Sequence, residues 1–263
     1  LIMVIIVLGV VSVGVTGFLR SGVQIFADVT ERDQLLGDSR FVVERLNREL
    51  RNAMPNSLRV AGNSTRHCIE FVPVKWSTYY FDVPVAPETA SDTIDVVEWD
   101  DANPYVFTTG DRVLVYPTTA EDVYDEDGCR HATLASVSNA DTPDTDQRQL
   151  TLTSSTVFDT DSPSNRLYVV GNPVSYCVAN GQIQRYQYSF DSDPSQSINL
   201  SNGVLMAENL VNTLSDPPGI SGDPFRVNHA TLTRNASIIS LLRFERGEEI
   251  VVFNNETHLP NVP

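Results

Sequence analysis

LIMVIIVLGVVSVGVTGFLRSGVQIFADVTERDQLLGDSRFVVERLNRELRNAMP, Leu1 to Pro55, is the stretch that decides the fold. No charge precedes Arg20 and no proline precedes Pro55. Leu1–Leu19 matches the roughly 20 residues needed to cross a hydrocarbon core, and as a helix it would span about 28 Å. Gly9, Gly14 and Gly17 lie inside it. Glycine costs about 1 kcal/mol in a soluble helix but is commoner in membrane helices. A secretory signal would open on positive charge and end at a small-residue cleavage site, and neither feature is present. After Arg20 apolar residues recur at Phe26, Val29, Leu36, Val43, Leu46 and Leu50, one stripe of an amphipathic helix. Glu44 with Arg48, and Arg45 with Glu49, are opposite charges at i,i+4. Pro55 ends the pattern. The stretch predicts one helix of about 54 residues, roughly 80 Å long. It is apolar all round in its first third and one-faced afterwards, with Gly37 as the place where it could bend.

Such a helix needs two environments: apolar matter around its first third, and a single packed partner for the rest. The remaining chain can supply the partner. After Asn56 it breaks into short stretches of alternating or β-branched residues between turn signals. The predicted strands are 67–74, 79–85, 93–99, 112–116, 149–153, 167–170, 174–178, 182–190, 225–233, 238–245 and 248–253. Asn180-Gly181 reads as a type I′ hairpin turn and Arg246-Gly247 as a second hairpin. The segments 138–147, 158–166 and 215–224 read as loops. No repeat of 20–50 residues is visible. The class is therefore α+β, a helix over residues 1–55 packed on an antiparallel, β-rich head over 56–263.

The charge balance narrows function. Lys+Arg is 18 against Asp+Glu 34, a net charge of -16. That surface repels phosphate backbones, so nucleic acid is not expected as a partner. Glu121, Asp122, Asp125, Glu126 and Asp127 cluster beside Gly128. Asp122, Asp125 and Asp127 are the candidate metal ligands, with calcium the ion they would suit, but EF-hand spacing is not met and a solvated loop is favoured. Asp141, Asp144 and Asp146 form a weaker cluster. His131 lies two residues after Cys129, and two ligands do not make a site. No G-x-S-x-G, H-E-x-x-H or phosphate-binding loop occurs, so no enzyme and no cofactor are expected. The aromatics of WSTYYF, 76–81, could face a sugar but more commonly pack. Cys68, Cys129 and Cys177 allow three pairings, with one thiol left over. Cys68 with Cys177 is the expected pair, since both lie on predicted strands and Cys129 lies in a loop.

The opening LIMVIIVLGVVSVG resembles the stretch just after the processing site of type IV prepilins and of type II secretion pseudopilins. Members usually read G/FTLIE before such a run. Aligned on Gly9, this sequence starts just after that glutamate, and the expected reason is that it begins inside the protein. The segments SGVQIFADVTERDQLLGDSRFVVERLNRELRNAMPNS, HCIEFVPV, VSYCV and TRNASIISLLRF…VVFNNETHLPNVP are similar to minor pilins of mannose-sensitive haemagglutinin pili, a group close to the J-type pseudopilins. The resemblance implies the pilin fold. It implies a precursor held once through the inner membrane, its N-terminus cytoplasmic, then processed, N-methylated and lifted by inner-membrane assembly machinery into an extracellular pilus. Leu1, Ile2, Val4, Ile5, Leu8, Val11, Val15 and Leu19 would form the membrane and filament core. Phe26, Val29, Leu36, Val43, Leu46 and Leu50 would pack against the head or other helices. The implied partners are other minor pilins and the major pilin, with assembly primed at or near the pilus tip. A surface- or glycan-binding adhesin head, and a secretion pseudopilin, are the alternatives.

Overall fold

A single helix, α1 (Ile2–Arg51), runs through the whole opening segment. The computed structural model describes residues 2–98, 105–108, 110–125, 128–139, 147–190, 202–229, 234–247 and 249–259. Gly37 does not interrupt α1. The helix stops three residues short of the predicted end, where the Asn52 and Ala53 N–H groups turn back to the Glu49 and Leu50 carbonyls. Ala53 is then drawn into a β-bridge with Pro73, and the Met54 N–H bonds the Val72 carbonyl.

The head carries, in chain order, β1 (Arg59–Asn63), β2 (Arg66–Phe71), β3 (Val74–Tyr79), β4 (Ser91–Val97), β5 (Arg112–Val115), a short α2 (Glu121–Tyr124), β6 (His131–Asn139) and β7 (Gln147–Thr156). It continues with β8 (Arg166–Val170), β9 (Val174–Ala179), β10 (Gln182–Gln187), β11 (Val204–Ala207), β12 (Phe225–Asn228), β13 (Ser237–Arg246) and β14 (Glu249–His258). The β9–β10 turn has Asn180 and Gly181 at φ 51° and 74°, as a type I′ turn requires. Gly247, at φ 62°, turns β13 into β14.

The strands form three antiparallel sheets, ordered β1-β2-β9-β10-β11, β12-β13-β14 and β3-β8-β5-β6-β7-β4. The last closes on itself. Tyr80 bridges Val96, the Phe81 N–H bonds the Asp95 carbonyl at 3.0 Å, and the Thr78 hydroxyl bonds the Val97 carbonyl. Period-two alternation fills this barrel: Ile94, Val96, Val113, Val115, Leu134, Leu150, Leu152, Leu167 and Val169 form its core.

The barrel is an insertion. β2 and β9 are hydrogen-bonded neighbours with Phe71 opposite Val174, and residues 72–173 leave and return between them. The disulfide joins Cys68 and Cys177, which face each other across the same two strands. Cys129 is free and exposed.

Three expectations change. Residues 79–85 do not form a strand: pairing beyond β3 shrinks to the Tyr80 bridge and a lone Val85–Phe158 bridge, because Pro84 offers no N–H. β1, β6 and β11 were not predicted, nor was β3, whose residues 75–78 fall between two predicted strands. β12 is shorter than 225–233, whose last residues lie outside those described.

Candidate functional site

The feature that separates this chain from an ordinary globular domain is the contrast between the two halves of α1. Its apolar stretch is long enough to cross a membrane and none of that window is buried, which fits a membrane anchor or a signal sequence. Ile2, Val4, Ile5, Leu8, Val11, Val15 and Leu19 are all exposed, and Leu1 lies outside the described residues. Ser12 and Thr16 do not spoil this surface, since the Thr16 hydroxyl donates to the Ser12 carbonyl of its own helix at 2.8 Å.

The second half meets the head. Leu35, Val42, Val43, Leu46 and Leu50 are buried against Ile69, Phe71, Tyr176 and Ile183 of one sheet and Ile238, Leu242 and Phe244 of another. Burying five such side chains contributes about 8–15 kcal/mol as an upper estimate. Ser39, buried on the same face, is satisfied by the Leu35 carbonyl at 2.6 Å. Polar contacts rim the seam. Arg45 donates to Glu49 at 3.0 Å, and Glu49 also holds Arg185 of β10 at 2.9 Å. Thr257 donates to Asn47 at 3.0 Å, and Arg246 to Gln34 at 3.2 Å. The Arg45–Glu49 spacing was readable in the sequence, whereas Arg185 is 136 residues from Glu49 and was not.

The predicted packing stripe therefore divides. Val43, Leu46 and Leu50 are buried and Leu36 is half-buried. Phe26 and Val29 are 74% and 53% exposed. Neither is among the buried side chains of α1, the first of which is Leu35, although the β13–β14 turn reaches the helix at Gln34 through Arg246.

At the other end of α1 a neck holds the barrel. Met54, Val72, Leu114, Tyr124, Tyr168, Val170 and Phe190 form a cluster of their own. The Arg59 guanidinium lies 3.5 Å from the Tyr124 ring centroid and pairs with Glu70, which also accepts from Tyr188. Burial pushes the Tyr188 hydroxyl far up, and the neighbouring Glu70 charge adds to the rise.

Of the acidic cluster's candidate ligands, Asp122 is engaged by its own loop. The Asp122 carboxylate accepts the Thr118 and Thr119 N–H groups at 2.7 and 2.9 Å and the Thr118 hydroxyl at 3.0 Å. Burial alone would raise its pKa, but those donors and Arg130 hold it below the usual carboxylate range. Asp125 is exposed, and Asp127 lies outside the described residues, as do Asp141, Asp144 and Asp146. Among the described residues no three His, Cys, Asp or Glu side chains gather as metal ligands. His131 is buried and bonded to the Asp125 carbonyl rather than directed at a metal with Cys129. Of the aromatic run, Trp76 stacks on Tyr105 at 5.4 Å, Tyr80 is buried, and Phe81 is exposed.

Sequence reasoning missed the Asp223 clamp. This buried carboxylate gathers the loop Ser215–Asp223 through the Ser215 hydroxyl and N–H at 2.5 and 3.0 Å and the Gly219 and Ile220 N–H groups at 2.6 and 2.9 Å. The S-D-P-P-G-x-S-G-D spacing signals a turn, but not which acid closes it. Comparison with protein-family models, curated proteins and solved structures returned no match.

Proposed function

We propose that the chain is a minor pilin of a type IV pilus, closest to those of mannose-sensitive haemagglutinin pili. It would prime assembly and sit at or near the tip, by helix bundling and head-to-head contact without catalysis. The observation that carries this reading is the division of α1, one unbroken helix whose outer half is apolar and uncovered while its inner half is sealed into a β-rich head. A uniformly apolar helix can be solvated equally by lipid tails or by sister helices. The chain can then pass from inner membrane to filament core without exposing that surface to water. Phe26 and Val29 extend the exposed apolar surface past the span and suit contact with the major pilin or other minor pilins. The inserted barrel joins at the far end of α1, away from the anchor, which favours a second role for the head in binding a surface or glycan. A pseudopilin of a secretion machine would share the same fold.

The test is deletion of the gene in the producing bacterium, with complementation. The reading expects few or no surface pili without the protein. It expects rescue by the wild-type chain and no rescue by Phe26→Asp, whose head should fold normally. Normal piliation after deletion would overturn it, and a secretion defect with normal pili would point to the pseudopilin.

A further inference from the structure

We infer that a cavity on the outer wall of the barrel binds the ring of a neutral hexose. The cavity holds about 300 Å³ and opens where β4 meets the segment that follows β3. Strand alternation builds one wall. Ile94 and Val96 point into the barrel core, so Thr93 and Asp95 of β4 face outward. Ser91 joins them across a bulge, its hydroxyl 3.3 Å from that of Thr93. The other wall is the segment that closes the barrel. Tyr80 is buried and bridges Val96, so the next residue, Phe81, is turned outward and is 51% exposed. The Phe81 N–H fixes it beside β4 by bonding the Asp95 carbonyl at 3.0 Å. Asp82 and Glu88 continue that wall.

The ligand class follows from what these walls offer. A cavity this small takes a single ring. A hexose carries hydroxyls around its rim and C–H bonds on its face. Carboxylates accept hydroxyl hydrogens strongly, and the Ser91 and Thr93 hydroxyls can donate or accept. The negative face of an aromatic ring such as Phe81 attracts the C–H face. The charged residues lining the cavity, Asp82, Glu88 and Asp95, are all acidic, on a chain of net charge -16. Phosphate, sulfate and acidic sugars are therefore repelled. Nor are the carboxylates gathered round a cation. Glu88 accepts the Val85 N–H at 3.2 Å and Asp95 accepts from Gln149 at 3.0 Å. Among the described residues no three His, Cys, Asp or Glu side chains converge as metal ligands. The inference deepens the second role proposed for the head and rests on that role alone. Its failure would leave the assembly reading standing, because piliation is scored separately.

The experiment is titration of the full chain in zwitterionic, sugar-free micelles, followed by saturation-transfer NMR. The probes are the methyl glycosides of glucose, galactose, mannose and N-acetylglucosamine, with the methyl glycoside of N-acetylneuraminic acid as the anionic control. At least one neutral glycoside is expected to bind with a dissociation constant of about 0.1–10 mM, and the anionic one more weakly. Asp95→Asn, which keeps an acceptor for Gln149, should weaken binding roughly tenfold, and Phe81→Ala roughly fivefold. Tryptophan fluorescence confirms that both variants keep the barrel folded. No saturable binding of a neutral glycoside up to about 50 mM, preference for the anionic sugar, binding that requires added Ca²⁺, or binding undiminished in either variant would overturn the proposal.

Discussion

Leu46 sits with no exposed surface where α1 meets two sheets. Leu46→Ala should destabilise the head by about 2–5 kcal/mol, read as a lowered urea midpoint. Phe26→Ala should leave that midpoint nearly unchanged, since Phe26 is 74% exposed. Asp223 makes a pH-dependent contribution. Burial would raise its pKa, but the Ser215, Gly219 and Ile220 donors outweigh burial and lower it. Its stabilising effect is then fully present above the unfolded aspartate value of about 3.9 and is lost as pH falls through the depressed folded value. Unfolding followed at stepwise lower pH should show this acid loss in the wild-type chain. In Asp223→Asn that part of the pH dependence should vanish, with lower stability at neutral pH. An unchanged acid profile would mean that the clamp does not act through its charge.

At the scale of elements, the barrel and its neck make the sharpest case. The disulfide closes a sequence separation of 109 residues. A loop that long, if unfolded throughout, implies about 4.7 kcal/mol of stabilisation. If the barrel stays folded when the helix-bearing sheets open, only the stubs around β2 and β9 count. A loop of about eight residues then gives roughly 2.5 kcal/mol. We predict the smaller loss for the Cys68→Ser, Cys177→Ser double variant. Both tryptophans, Trp76 and Trp99, fall within the insertion, so their fluorescence should report a barrel transition that the variant leaves in place. The insertion itself was not legible in the sequence. Strands β8, β9 and β10 were readable because Leu167, Val169, Val174, Tyr176 and Ile183 alternate or run apolar between clear turns. β6 was not, since alanine and serine dilute the apolar signal around Leu134 and Val137, and a bulge between Leu134 and Ser136 breaks its period. That β2 pairs with a strand more than 100 residues away is a long-range choice to which local pattern is blind. The Cys68–Cys177 pairing was nonetheless reachable, because both cysteines sit in strong strand patterns.

For the whole molecule, the helix was legible almost to its last turn, since length, absence of proline and apolar periodicity all act locally. Where its burial begins was not, because the stripe from Phe26 to Leu50 is continuous in sequence and only tertiary packing makes Leu35 the first buried side chain. That boundary matters for the proposed function, which needs an apolar helix left free by its own head. The most direct measurement is mass spectrometry of pili sheared from the producing cells, scored for this chain's N-terminal peptide and its copy number against the major subunit. A processed, N-methylated terminus at trace copy number is the predicted result. A chain absent from the pili and kept in the membrane with an uncut terminus would contradict the account.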